Sequence, residues 1–510
     1  MKKKIGLACL SIITVASLSS CAYFLSSFFP THSSTITSIA PSQGDVGDGY
    51  VKPAEFTYDL QDVNETCGLI NLESVGNSKM LVIPVEFSGG ASFTNSDLTN
   101  IHNVFFGESS DTGWESVSSF YEKSSYGNLK ISGEVAPVLK SRYTLSSLTS
   151  ASKTSSGDYR PDLLILEEFS NSSKYASLRQ NYDINKDGYI DTTIFVYNSL
   201  IDSEKGYWAW CTSNSDYPST TLPTVNGYMW VSYNFIYGNQ KRGSSSVPYA
   251  AYGLKVDGHT VIHETGHLLG LDDYYCYDDA WDPSGKIEMH SNNIGDENIF
   301  SKMALNWVKP YHVKTDSSVT LTLRSSALYD DAIIINDDWN GSPCDEYIAI
   351  EYYSPHGNNE KDALAAYPGN NYQMYTKSGF RIYHIDARVA EINNRLVFQR
   401  YSDTLGSGYY QVGASNTPSR SYLGTEYNKN NFKMVHLLEA SGVNTFKNNY
   451  GTSRPDYATN STLFVQGHSF KATSAFFVNG DKFNDGSTVG YRIDIGKCTS
   501  AQGTITITKI

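Results

Sequence analysis

The spacing of apolar residues changes character along the chain. An uninterrupted apolar run, "MLVIPVEF" at 80–87, fits a strand buried on both faces. In "GWESVSSFYEKSSYGNLKISGEV" (113–135) helical spacing stops at a turn around Gly127 and resumes as a strand. Further strands are expected at "TTIFVYN" (192–198) and "GYMWVSYNFIYG" (227–238), followed by a helix carrying "VIHETGHLLG" (261–270). Beyond about residue 310 the pattern becomes short alternating runs: "VTLTLRS", "AIIIN", "EYIAIEYY", "GFRIYHI", "VGYRIDIG" and "GTITITKI". Asn, Gly, Ser and Asp separate them, as in a β-sandwich. The expected fold class is therefore α+β, a mixed sheet with helices over 61–312 followed by a sandwich-like β-rich domain over 313–510.

The N-terminus departs from both patterns. "MKKKIGLACLSIITVASLSSC" has a basic start, an apolar stretch too short to span a bilayer and small residues at its end. Residues 1–20 thus read as an export signal. "LSSC" at 18–21 resembles the bacterial lipobox, in which Cys21 is lipidated and becomes the first mature residue. Ordinary signal cleavage beside an incidental cysteine is the alternative. The Ser-, Thr-, Gly- and Pro-rich stretch that follows, within 21–60, has the composition of a flexible tether. These features place the protein outside the cytoplasm, at a bacterial cell surface, held to the membrane by lipid alone.

Composition narrows the partners. A net charge of −14 disfavours nucleic acid and anionic lipid, since both would be repelled over most of the surface. The five cysteines beyond Cys21, at 67, 211, 276, 344 and 498, form no CxxC pair, so no structural zinc site is read from them. One or two disulfides are compatible with that spacing, and a monomer is expected.

Chemistry concentrates in "VIHETGHLLGLDDYY" (261–275). On a helix, His263 and His267 present their imidazoles from one face to a single ion. Glu264 lies between them, close enough to act as general base on zinc-activated water without ligating the metal. Gly270 can take a left-handed conformation, end the helix and return the chain toward the metal. The turn delivers Asp273 as third zinc ligand, with Asp272 as the adjacent competitor. A second candidate is "DINKDGYID" (183–191), where Asp183, Asn185, Asp187 and Asp191 offer side-chain oxygens and Tyr189 its carbonyl. Gly188 allows the sharp turn, and calcium is the cation such spacing suits. A true EF-hand is excluded, because Ile194 stands where the bidentate glutamate belongs. Asp278, Asp279 and Asp282 lack a ligand spacing and read as a solvated loop.

These stretches together resemble the immune inhibitor A family of bacterial metalloproteases, a metzincin branch with aspartate as third zinc ligand. The resemblance runs through "MLVIPVEF", "SFYEKSSYGNLKISGEV", "DINKDGYIDTTIFVYN", "HETGHLLGLDDYY" and "MHSNNIGDENIFSKMALNWVKP", roughly residues 75–310. It implies a metzincin-like domain, a twisted mixed sheet plus active-site helix. Met289 would be the Met-turn residue packed beneath the zinc, and the acidic loop would hold structural calcium. The sequence departs from the family at Asp272, often proline there, and at Ser291, where some metzincins carry tyrosine. Cys67 could block the zinc as a thiolate, though a buried structural role is the commoner fate of such a residue.

The function these readings imply is a secreted, membrane-anchored zinc endopeptidase hydrolysing extracellular proteins. Its Glu264 would serve as base, and strand 227–238 as an edge for an extended peptide. The rival is a surface lipoprotein adhesin whose protease unit is incidental or inactive.

Overall fold

In the computed structural model the apolar run at 80–87 lies in strand Gly76–Glu86, which is buried from Met80 onward. The structure describes residues 49–69, 72–214, 216–236, 241–242, 245–246, 253–276, 282–368, 370–400, 409–411, 415–416, 433–446, 457–477 and 480–510. Strand Gly76–Glu86 pairs in parallel with Leu129–Val135 on one side and Thr193–Tyr197 on the other. A central strand of this kind, covered on both faces, needs no polar alternation. Helix Val117–Ser124 starts where the Ser116 side chain accepts from Ser119 N–H. Beyond its end Tyr126 and Gly127, both with positive φ, turn the chain into Leu129–Val135.

Strand Gly227–Ser232 continues the sheet in parallel beside Thr193–Tyr197, and Trp210–Ser213 pairs with its other edge antiparallel. The segment expected to be one strand over 227–238 is therefore shorter, and it is not an edge. Tyr233 leaves the ladder because its hydroxyl donates to Asp97 at 2.8 Å and its ring packs edge-on against Phe93, so Tyr233–Ile236 coils as a 3-10 turn.

Beyond residue 310 the described residues build three further sheets, a small one of Val389–Ile392, Arg395–Arg400 and Tyr409–Gln411 and two larger ones. The first of the larger two has the order Tyr50–Val51, Tyr311–Val313, Ile333–Ile335, Glu346–Tyr353, Gly379–Asp386, Val435–Leu438; the second runs Ser318–Arg324, Gln502–Lys509, Tyr491–Cys498, Ser469–Lys471. Ile350, Phe380 and Ile382 of the first meet Leu323, Ile493 and Ile505 of the second in a shared apolar layer. Ser318–Arg324 alternates buried and exposed, as a half-covered strand does. Glu346–Tyr353 is buried at every position, since its opposite face, with Tyr347, Ala349 and Tyr353, packs into the core that holds Val261, Ile262, Met289 and Ile294. The molecule is a mixed α+β fold with several sheets, and one apolar interior runs across residue 312.

Order also begins earlier than the tether expected over 21–60 allows. Tyr50–Val51 pairs with His312 and Val313, Tyr50 packs edge-on against Tyr311, and Asp59 caps helix Leu60–Thr66 through a capping box. The residues expected to be an export signal, Cys21 and the remainder of the expected tether up to residue 48 lie outside the described residues. Among the described residues no helix is long and apolar enough to cross a membrane, and no cysteine joins a disulfide.

Candidate metal centre

Helix His259–Leu268 carries His263, Glu264 and His267. The rings of His263 and His267 stand 4.7 Å apart and nearly perpendicular. His263 Nδ1 lies 2.9 Å from the Met289 carbonyl and His267 Nδ1 3.0 Å from the Leu271 carbonyl. A carbonyl can only accept, so each Nδ1 donates, and a neutral ring then has its lone pair on Nε2. Those two Nε2 atoms are 3.1 Å apart.

Past the helix, Gly270 N–H donates to the His267 carbonyl and Leu271 N–H to the Gly266 carbonyl, with Gly270 at φ +104°. This is a Schellman ending, which glycine makes without strain. The reversed chain carries Asp273 back to the histidines. Its Oδ1 lies 3.1 Å from His263 Nε2 and 3.6 Å from His267 Nε2. That oxygen is buried and accepts no hydrogen bond. Two imidazole nitrogens and an unsatisfied carboxylate oxygen thus converge on one point, where a cation is favoured and a lone-pair cluster alone is repulsive. Burial opposes a charge on His263, but Asp273 and Glu264 outweigh it and raise the imidazole to about 9. Burial likewise opposes ionised Asp273, but the facing imidazoles hold its carboxyl below the usual range. A proton answers this field for one pair at a time; a divalent ion answers it for all three, and an N, N, O donor set with carbonyl-anchored histidines suits zinc.

Asp272 Oδ1 is engaged within the turn, accepting the Asp273 N–H at 2.8 Å. Glu264 is buried, and burial pushes its carboxyl up while the charges of His267 and His263 pull it down. Met289 is fully buried and holds His263 through its carbonyl.

Three neighbours were not singled out in the sequence. His290 brings a ring nitrogen within 4.8 Å of those of His263 and His267, which makes it a rival third ligand. Its Nε2 faces Glu297 Oε1 at 3.2 Å, and the ring lies against Gly266, where a Cβ would sit 2.2 Å from Nε2. Burial and the two neighbouring histidines push its basicity well below the usual range. Asp273 Oδ1 and His290 Nδ1 are both buried without a hydrogen-bond partner, so two candidates for the third ligand face the histidine pair, and Asp273 Oδ1 is the one 3.1 Å from His263 Nε2. The second neighbour, Tyr275, donates its hydroxyl to Asp273 Oδ2 at 3.0 Å. The third is His259, four residues before His263, a spacing that marks one helix face and could have been read from "HTVIHETGH".

Some expectations are corrected. Asp282, expected in a solvated loop, is buried, accepting from Ser284 at 2.6 Å and from Ser291. Ser291 is thereby turned toward Asp282. Asp278 and Asp279 lie outside the described residues. Cys67 donates to the Leu396 carbonyl at 3.2 Å, and burial pushes its thiol up, which disfavours the thiolate a zinc block requires.

The loop 183–191 turns at Gly188, φ +91°, as expected. Its oxygens largely serve the loop itself: Asn185 accepts from Asp187 N–H at 3.1 Å, Asp187 from Tyr189 N–H at 2.8 Å, and Asp191 from Ile184 N–H at 3.0 Å. Asp183 Oδ1 is buried and accepts no hydrogen bond.

A scan against protein-family models and a search of curated proteins find no match. Among solved structures the chain is similar to metalloproteinase-II from Bacteroides fragilis, with TM-score 0.20 and 13% identity, over 44% of this chain and 55% of that one. The chain thus spans about half the length of that protein. So loose a superposition leaves fold and activity to be argued from this chain's own residues.

Proposed function

We propose that the protein is a zinc-dependent endopeptidase whose metal is held by His263, His267 and Asp273. The observation that carries this reading is the convergence of His263 Nε2, His267 Nε2 and the unsatisfied Asp273 Oδ1. When bound, zinc supplies Lewis-acid polarisation of a peptide carbonyl and acidifies water. Glu264, whose proton affinity burial raises, would as carboxylate accept a proton from water and pass it to the leaving amine. Met289 and Leu271 hold the two imidazoles in the ligating tautomer through their carbonyls.

We place this activity on extracellular proteins, with export and lipidation at Cys21 anchoring a monomer to the cell surface. A structural calcium ion belongs to the same proposal, at the loop where Asp183 Oδ1 is left unsatisfied. Calcium is expected to raise the melting temperature of the wild type and not of Asp183→Asn; equal shifts would remove it.

Casein cleavage with and without chelator separates the protease from the adhesin reading. Wild type is expected to hold one zinc per chain and to lose cleavage on chelation. Glu264→Gln is expected to keep its zinc and lose roughly 10²- to 10⁴-fold in rate. A zinc-loaded wild type that leaves casein intact would transfer the case to adhesion.

A further inference from the structure

Resting on the zinc reading above, we infer that Asn416, together with Ser415, is a positioning residue for the third metal ligand. The two histidines are placed by a helix. Asp273 is not: it lies beyond the Schellman turn, in a segment where no helix or strand holds the main chain. From the catalytic side that segment is tied by Leu271 N–H to the Gly266 carbonyl and by Tyr274 N–H to the His290 carbonyl. The carbonyls of Asp273 and Tyr274 are held from the second half of the chain. Ser415 Oγ donates to the first at 3.1 Å and Asn416 Nδ2 to the second at 2.7 Å, both from 142 residues further along the chain.

Asn416 is itself fixed. Its Oδ1 accepts the Val435 N–H and its Nδ2 also donates to the Val435 carbonyl, each at 3.0 Å. Val435 opens strand Val435–Leu438 of the six-stranded sheet. The same strand, through Leu437 N–H, donates to the Pro283 carbonyl at 2.8 Å, ahead of the Met289 turn. One strand of the second half therefore grips the ligand segment at 273–274 and the loop leading to Met289. A ligand carboxylate displaced by a fraction of an ångström loses shared geometry with the histidines, so these bonds act on metal affinity through Asp273.

The test uses the full chain, zinc alone as probe, and two readouts: zinc affinity by competition with a chromophoric chelator, and melting temperature with and without zinc. Asn416→Ala is expected to bind zinc about 10- to 100-fold more weakly, the range for removing a partner that orients a ligand. Its zinc-induced rise in melting temperature should shrink more than its melting temperature in chelator falls. Ser415→Ala, which deletes one hydroxyl, should weaken zinc in the same direction and keeps the test open if Asn416→Ala does not fold. Wild-type affinity in the soluble variants would overturn the inference. So would a lower melting temperature in chelator with the zinc increment intact, which marks a merely structural role. A wild type that takes up no zinc overturns the metal reading itself, a distinct result.

Discussion

At the scale of single residues the proposed metal centre depends on what lies behind the side chains that would hold the ion. His290 fills the space under the helix because Gly266 has no side chain: an added Cβ would lie 2.2 Å from His290 Nε2, 2.3 Å from Cε1 and 3.2 Å from the Tyr121 hydroxyl. On helix propensity alone, Gly266→Ala should stabilise by about 1 kcal/mol. Here overpacking opposes that gain at a cost of roughly 1–3 kcal/mol, since the His290–Glu297 contact leaves the ring little room to move. Gly266→Ala is therefore expected to melt lower than wild type and to bind zinc less tightly. A higher melting temperature in differential scanning calorimetry would refute this packing account. His263 and His267 were legible because helix geometry puts residues four apart on one face, and Asp273 because the turn at Gly270 reverses the chain toward them. His290 was not, because its place under Gly266 arises only when the turn at 289–292 folds beneath the helix.

At the scale of elements the helix bearing His263 and His267 is secured at its first residue. His259 is sandwiched between Trp114 and Tyr367, with ring centroids 3.9 and 4.1 Å away. Its Nδ1 meets Asp257 at 2.8 Å, its Nε2 meets Asp362 at 3.2 Å, and Tyr367 donates to the other Asp257 oxygen at 2.6 Å. Burial disfavours the charged ring, but Asp362 and Asp257 outweigh it and raise His259 to about 9. A histidine raised from 6.5 stabilises fully below that value and loses its contribution as pH climbs through about 9. The contribution is on the order of 3 kcal/mol. Urea midpoints of wild type should fall between pH 6.5 and 9, while those of His259→Gln should start lower and stay flatter over that window. Parallel profiles would show that His259 carries no such charge. Strand Gly227–Ser232 illustrates the opposite limit of legibility. Its apolar run was visible, but its neighbour Trp210–Ser213 was not, and so its interior position was misread.

At the scale of the whole molecule the sheet containing Glu346–Tyr353 is covered twice, by the second sheet on one face and by the core around helix His259–Leu268 on the other. A chain ending at residue 312 would expose that core, including Val261, Ile262, Met289 and Ile294. Such a fragment is expected to be insoluble or to melt without cooperativity, and a soluble fragment melting cooperatively at the full-length temperature would contradict the shared interior. The change of apolar pattern near 310 was a real change in strand texture. It did not reveal that the first sheet of the second half faces helix His259–Leu268, because burial on the far side of a strand depends on a partner distant in sequence.

Local spacing by itself determined the mixed α+β character, the helix that aligns His263, Glu264 and His267, and the reversal at Gly270, since those follow from backbone geometry over a few residues. Only the tertiary structure decided what holds that constellation: Met289 and Leu271 carbonyls on the imidazoles, Asp273 Oδ1 turned inward, His290 below, and Asn416 reaching back from the second half. The reason is physical. A helical repeat is written into neighbouring side chains, whereas hydrogen bonds across 142 residues have no local period and exist only after the sheets have packed.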